Sequence, residues 1–317
     1  MPKMRIGLGL ANLPFSSARA FWRFVDLCED GDVDSFWQTD RLVSPLPQLE
    51  VMSTMAALAG GSSRLKFGMN VTVVPFRDTL VLARECATID YLSGGRLLPA
   101  FGVGTDNAPE WQALGWDKSG RGTRTDEALD IMARLWRGER VTYTGAHHRY
   151  TDVAIAPLPV QQPLPLWIGG RSAAAVRRTA ELGTGWLGGV ESPEQVAPVV
   201  QSIRTASAAA GRPIDEDHYG AAFGFRFGDW DEPIVQATAR VLTRLAKTSD
   251  PRRHAVAGDA DAMLARVEEF RAVGVTKFVL RPIAHGDDDV LEQTRRLIAE
   301  VLPRVHGERT AQSERPL

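Results

Sequence analysis

A repeated alternation of short apolar runs with longer amphipathic segments constrains this chain more than any other feature. Residues 4–10 read as a strand, and 17–30 as a helix with Phe21, Phe24, Val25 and Cys28 on one face. The pattern continues with strand 33–38, helix 49–59, strand 65–74, helix 79–92, strand 96–103 and helix 125–136. Gly94 and Gly95 stop the third helix. The second half repeats the theme with strand 166–169, helix 173–182, strand 185–188, helix 193–210 and strand 219–227. Helices 234–245 and 261–273 follow, separated by a polar linker at 248–258, then strand 275–280 and helix 290–302.

Strands that alternate with helices form a parallel sheet. A count of eight predicts a closed (β/α)8 TIM barrel with loop insertions rather than an open doubly wound sheet. Residues 1–305 are expected to form one domain, with 306–317 a disordered polar tail. Three segments interrupt the alternation: a loop at 105–124, a β-hairpin at 141–153 around Gly145, and the extra helix before the last strand. Loops after strand C-termini carry function in this architecture. The hairpin follows a helix, so it is expected at the opposite end.

Composition narrows the partners. The chain has 317 residues, 44% hydrophobic and 24% charged, an ordinary globular balance. With 37 basic and 39 acidic residues, its net charge of −2 gives no electrostatic reason to expect nucleic acid or an anionic membrane as partner. Cys28 and Cys86 lie within predicted helices and read as small buried hydrophobes rather than a disulfide. The first ten residues lack the apolar core of a signal peptide, and no stretch approaches the roughly 20 apolar residues of a membrane span. A cytoplasmic location is expected.

No G-x-S-x-G, H-E-x-x-H, P-loop or CxxC pair is present. His147 and His148 are adjacent on a strand and point to opposite faces, so no metal site is expected there. This absence suits a cofactor enzyme, in which the protein supplies position and electrostatics. Gly102-Val103-Gly104-Thr105 ends the fourth strand, either as a tight turn or as backbone that approaches a ligand. Gly169-Gly170-Arg171-Ser172 ends the fifth strand and opens a helix, where Ser172 reads as an N-cap and the N–H groups as an anion site. Asp40, Arg41, Arg77 and Arg281 stand at strand ends, either in ion pairs or aimed at the mouth to hold a carboxylate or phosphate. Glu110, in the long loop, is an acid/base or, more in keeping with its setting, a loop-ordering ion pair. Trp37 and Trp186 face the mouth or fill the core.

Together these motifs resemble the bacterial luciferase-like family of FMN-dependent monooxygenases and deazaflavin F420-dependent oxidoreductases. Phe36-Trp37-Gln38-Thr39-Asp40 is similar to the family's second strand end. Asn70-Val71-Thr72-Val73-Val74-Pro75-Phe76-Arg77 resembles its third strand. Asp90-Tyr91-Leu92-Ser93-Gly94-Gly95-Arg96-Leu97 with Gly102-Val103-Gly104 is the most specific stretch. Pro165-Leu166-Trp167-Ile168-Gly169-Gly170-Arg171-Ser172 and Gly183-Thr184-Gly185-Trp186 complete a resemblance over about residues 4–215.

The resemblance implies a barrel, a homodimer, and an isoalloxazine-type ring stacked over the third strand, where relatives often carry a cis peptide at the position of Asn70–Val71. It implies cofactor contacts from Asp40, Asn70, Val71, Thr72, Gly104, Thr105, Gly169, Gly170, Arg171 and Ser172. Arg41, Asn107 and Glu110 are the implied catalytic residues, with Trp37 and Arg281 on the substrate side. Two positions depart from the pattern. Arg41 stands where relatives commonly have histidine, and Asn107 stands at or near the catalytic glutamate of F420-dependent sugar-phosphate dehydrogenases, which argues against that activity. The reading is a monooxygenase that uses reduced FMN, delivered by a separate flavin reductase, and O2 on a small organic substrate. The alternatives are F420-dependent hydride transfer and a non-catalytic flavin-binding protein.

Overall fold

A computed structural model of the chain describes residues 3–306. The first half contains β1 (Arg5–Leu10), α1 (Ala18–Asp30), β2 (Ser35–Gln38), α2 (Val51–Gly61), β3 (Lys66–Met69), β4 (Thr72–Val73) and α3 (Thr79–Ser93). It continues with β5 (Leu97–Leu98), β6 (Ala100–Gly102), α4 (Glu110–Ala113), α5 (Arg121–Trp136), β7 (Val141–Thr144) and β8 (Arg149–Val153). The second half contains β9 (Trp167–Gly169), α6 (Ala173–Glu181), β10 (Gly185–Leu187), α7 (Pro193–Ala209), β11 (Tyr219–Phe227) and α8 (Pro233–Leu245). The chain then forms β12 (Ala255–Gly258), α9 (Ala260–Ala272), β13 (Lys277–Pro282), α10 (Gly286–Arg296), a π-helical turn (Leu297–Val301) and α11 (Leu302–His306).

The strands other than the β7–β8 hairpin form one curled parallel sheet, ordered β4-β6-β9-β10-β11-β13-β1-β2-β3-β5, with β12 on β11. Period-two alternation sorts their side chains onto two faces. Phe36, Phe101, Ile168, Trp186, Phe223, Phe278 and Leu280 pack outward against the helices. Trp37, Ala100, Trp167, Leu187, Ala222 and Val279 pack together inside the curl. The inner floor is polar at one point: Lys277 is buried, ion-paired with Asp34, and its ammonium lies 5.8 Å from the centre of the Trp37 ring.

Helix boundaries follow local chemistry. Asp78 caps α3 by accepting from Leu80 and Val81 N–H, and Gly94 ends it in the left-handed conformation at φ 66°. Asp259 caps α9 through Ala262 N–H. Cys28 and Cys86 are free and buried, as expected. No described helix is long and apolar enough to cross a membrane.

Four expectations change. The third strand, read as continuous over 65–74, is divided into β3 and β4 by a cis Asn70–Val71 peptide. The linker at 248–258 contains β12, which pairs Ala255 with Gly224 and Gly258 with Phe227 of β11. The polar tail is expected from 306, yet His306 closes α11, with Nε2 3.4 Å from Ile6 N and Nδ1 3.5 Å from Asp32. Residues 307–317 lie outside the described residues.

The fourth change concerns the hairpin, whose tip reaches the helix N-termini at the strands' C-terminal end rather than the opposite end. Glu127, in the first half of α5, accepts N–H bonds from Ala146 (2.7 Å), His147 (3.0 Å) and His148 (3.0 Å). His148 bridges Glu127 (3.0 Å) and the hydroxyl of Thr79 (2.8 Å) at the start of α3. This hydroxyl–imidazole–carboxylate chain is a latch: Thr79 is buried, and Glu127 is saturated by backbone donors. Burial opposes ionisation of Glu127, but the contacts with His148 and the backbone outweigh it and hold the carboxyl below its ordinary value. The latch therefore contributes stability at pH above the ordinary value of 4.5, and loses it as pH falls through the lowered folded value. Glu127→Gln is expected to raise hydrogen exchange at amides 146–148 by about tenfold or more, the scale of one charged hydrogen bond. Unchanged protection would remove the latch.

Candidate active site

The C-terminal strand ends converge on a mouth whose inner rim is built largely from glycine. Val71, just after the cis bond, stands between two of these glycines. A Cβ on Gly102 would lie 2.6 Å from Val71 Cγ2, and one on Gly169 would lie 2.8 Å from Val71 Cγ1. Any side chain at either position would displace Val71. Gly104 has φ 74°, and a Cβ there would sit 3.0 Å from Val73 Cγ1 and 3.2 Å from Trp111 Cζ2. Its turn and its close packing both require glycine.

Beside this cradle, Asn70 Nδ2, Thr72 Oγ1 and Glu110 Oε2 are buried without a hydrogen-bond partner. Buried polar atoms normally find partners, so three orphans at one mouth point to a missing polar ligand. Glu110 uses its other oxygen weakly, at 3.4 Å from Val43 N. It meets the loop after β2 and not an arginine, so the expected loop-ordering contact exists but is not an ion pair.

Asp40 behaves differently from the expected ligand contact. Its buried carboxylate accepts from Arg77 Nη1 (2.5 Å), Arg77 Nη2 (2.9 Å) and Val73 N (3.0 Å). Arg77 also reaches Glu50 at 2.9 Å. Asp40 thus positions β4 and the turn after it. Arg41, Thr105 and Asn107 are exposed on the loops. Thr105 contributes its carbonyl, which accepts from Trp111 Nε1 at 2.8 Å. Trp111 in turn packs edge-on against Phe76, with ring centres 4.6 Å apart, and this cluster carries the loop after β6.

Across the mouth, Ser172 caps α6 by accepting from Ala175 N–H at 3.2 Å. Gly170 accepts from the indole of Trp186 at 2.8 Å, which fixes Trp186 on the outer face. Arg171, Ala173 and Ala174 are exposed, leaving the helix N-terminus open to an anion. Arg171 lies 3.8 Å from Glu191. Glu191 was not anticipated; it is mostly buried after β10 and accepts from Gly189 N–H at 2.7 Å. The Gly188-Gly189 pair ahead of it was the available signal.

Trp37 does not reach the mouth. It is fully buried, and its indole donates to Ser35 Oγ at 2.8 Å, which turns the ring toward the floor. Arg281 shares the inward face of β13 with Lys277 and Val279, one step higher each time, and stands at the rim. At the other end, Asp215, Asp217 and His218 bring ligand atoms within 4.8 Å of one another. His218 Nδ1 contacts the Thr184 carbonyl at 2.8 Å, and these groups lie far from the glycine cradle in the strand direction.

The cradle, the orphaned polar atoms and the open helix N-terminus lie together at the strand C-termini of an α/β protein, an arrangement suited to a polar, anion-bearing ligand. The model of luciferase-like monooxygenases matches residues 5–276, and the chain belongs to that family. The chain spans 57% of the first curated relatives it matches, among them an uncharacterised protein of Mycobacterium bovis, 29% identical over 52% of this chain. Among solved structures it is similar to the monooxygenase RslO1 from Streptomyces bottropensis, with TM-score 0.82, 20% identity, and 95% and 99% of the two chains covered. It is also similar to the coenzyme F420-dependent tetrahydromethanopterin reductase of Methanopyrus kandleri, with TM-score 0.79, 20% identity, and 96% and 100% covered. A third likeness is the oxygenating constituent of 3,6-diketocamphane monooxygenase of Pseudomonas putida in complex with FMN, with TM-score 0.72, 15% identity, and 96% and 99% covered. At these identities the likeness establishes the fold.

Proposed function

We propose that this protein is a flavin-dependent monooxygenase that uses reduced FMN and O2 on a small organic substrate. The glycine cradle around Val71, flanked by the orphaned Asn70, Thr72 and Glu110 atoms, carries this reading. We also infer that the sheet closes as an eight-stranded barrel. Only two residues separate β3 from β4, and one separates β5 from β6. The two ends of the sheet path meet through these halves, since Phe67 pairs with Leu97 and Thr72 with Phe101.

Val71, Gly102 and Gly169 would support one face of the ring, and Asn70 and Thr72 would hydrogen-bond its polar edge. Gly170, Arg171, Ser172 and the first turn of α6 would hold the phosphate. Reduced FMN, delivered by a separate reductase, would supply the electrons that activate O2. Trp111 and Phe76 exclude water beneath the loop that carries Asn107 and Glu110. F420 is the second reading on this scaffold, and one observation disfavours it. A polyanionic tail needs free basic residues beyond the phosphate site, yet Arg177 and Arg178 on α6 are both engaged by Asp126, at 3.1 and 2.5 Å. A cytoplasmic homodimer completes the proposal, with exposed Val81, Tyr91 and Leu92 on α3 as apolar surface to cover.

Anaerobic titration with reduced FMN and reduced F420, side by side, tests the cofactor. Preferred FMN binding, followed by oxygen uptake when O2 is admitted, is the expected result. Binding of F420 alone would replace monooxygenation with hydride transfer, and flavin binding without any turnover would leave a binding protein. Gly102→Val is expected to reduce FMN affinity at least tenfold and to cost about 1–3 kcal/mol through overpacking on Val71. Gly60→Ala, where a Cβ meets nothing within 4 Å, is the control and should change neither property adversely.

A further inference from the structure

Arg281 is the charged residue that the site leaves unexplained. Its guanidinium makes no hydrogen bond or ion pair with any described residue. Its neighbours on both sides lack side chains. Gly224 is its register partner on β11, and on β1 a Cβ at Gly9 would lie 3.4 Å from Arg281 Cγ. The side chain points inward, because Val279 two residues earlier packs inside the curl. Burial pushes the guanidinium below its ordinary value, and Glu191 works in the other direction. Arginine stays charged even so, which leaves a partly buried cation at the mouth with no counter-charge in contact.

We infer that the substrate carries a single carboxylate, which Arg281 holds by its two-pronged donor face. This rests on the flavin reading above and names the substrate class for that site. The orphaned polar atoms and the cradle belong to β4 and the two residues before it, to β6 and β9, and to α4, whereas Arg281 stands on β13, several strands around the sheet. The cation therefore faces the space left beside the ring rather than the ring's own edge. Charge selects a monoanion: one guanidinium with Glu191 nearby cannot balance a dianionic phosphate. The planar fork of arginine matches a carboxylate in two parallel hydrogen bonds.

Benzoate and its uncharged isostere benzamide are suitable probes, titrated calorimetrically into the purified protein with and without FMN. Benzoate is expected to bind at least tenfold more tightly than benzamide. Arg281→Met should abolish that preference, Arg281→Lys should recover part of it, and FMN affinity should stay within about twofold in both. Arg281→Met should also melt no lower than the natural protein, since it removes a partly buried charge that has no partner. Equal binding of the two probes, or a benzoate preference that survives Arg281→Met, would overturn the assignment. So would loss of FMN affinity in Arg281→Met, which would give the arginine to the cofactor, or Arg281-dependent binding of inorganic phosphate in preference to benzoate. Calorimetry of the flavin-free protein needs no cofactor, so failure to bind FMN would sink the flavin reading while this test still stood.

Discussion

Replacing Asp40 by alanine is expected to cost about 3–5 kcal/mol of stability and to remove flavin binding at the same time. The buried carboxylate is the hub of the rim beside the cradle. It receives both prongs of Arg77 and the N–H of Val73, so it ties β2 to the segment that follows Asn70–Val71. Its removal leaves the Arg77 guanidinium largely buried with only the half-exposed Glu50 as partner. The Val73 N–H also loses its acceptor. Both effects act on the strand that presents Val71 and Thr72. Calorimetric or chemical unfolding measures the first consequence and FMN titration the second. Asp40→Ala combined with Arg77→Met should recover much of the stability, because no unpaired charge remains, but not the binding. Wild-type flavin affinity in Asp40→Ala would show that the cradle does not depend on this ion pair.

The second large effect lies at the floor. Asp34→Asn is expected to destabilise the protein by about 3–5 kcal/mol, because it strands a buried ammonium. Lys277 is nearly fully buried, and Asp34 is its partner across the start of the sheet. Burial of Asp34 opposes its ionisation, but Lys277, with help from Lys66, outweighs this and holds the carboxyl at about 2. An unfolded aspartate titrates near 3.8. The pair therefore contributes stability above that value, and the contribution is lost as pH falls from 3.8 toward about 2. The linked free energy is on the order of 2 kcal/mol. The stability difference between natural protein and Asp34→Asn, measured between neutral and acid pH, should narrow by that amount over the window. The double replacement Asp34→Leu with Lys277→Met should be close to neutral, since the ions are removed together. A cost as large as that of Asp34→Asn would mean that the pair does more than satisfy its own charges.

The two predictions share a physical origin that sequence reading reaches only in part. Local patterning located the helices and strands well. The aromatic–small alternation at Tyr219–Phe227 marks β11 over its full length, and Ser172 and Gly94 mark helix ends where they fall. These signals are short-range: side-chain periodicity and capping act over a few residues, so they survive without knowledge of the fold. The division of the third strand, the pairing of β12 with β11 and the direction of the hairpin are not carried by these signals. The last two depend on contacts between segments far apart in the chain, and the first on one peptide bond that periodicity does not register.

The same division runs through the site. The sequence by itself determined the family, the strand ends that form the mouth, and the glycines and polar residues gathered there. Strand position also put Trp37 at the mouth or in the core, and Arg281 at the end of the last strand. Only the tertiary structure decided their depth. Trp37 turns down onto Ser35 and the Lys277 floor, while Arg281 stays at the rim between two glycines. Likewise, Asp40 was read as a ligand contact, but Arg77, 37 residues away, takes it up. Glu110 and Asn70 instead retain free polar atoms. Strand position is a property of one segment, whereas depth and hydrogen-bond satisfaction depend on what neighbouring strands leave empty or fill.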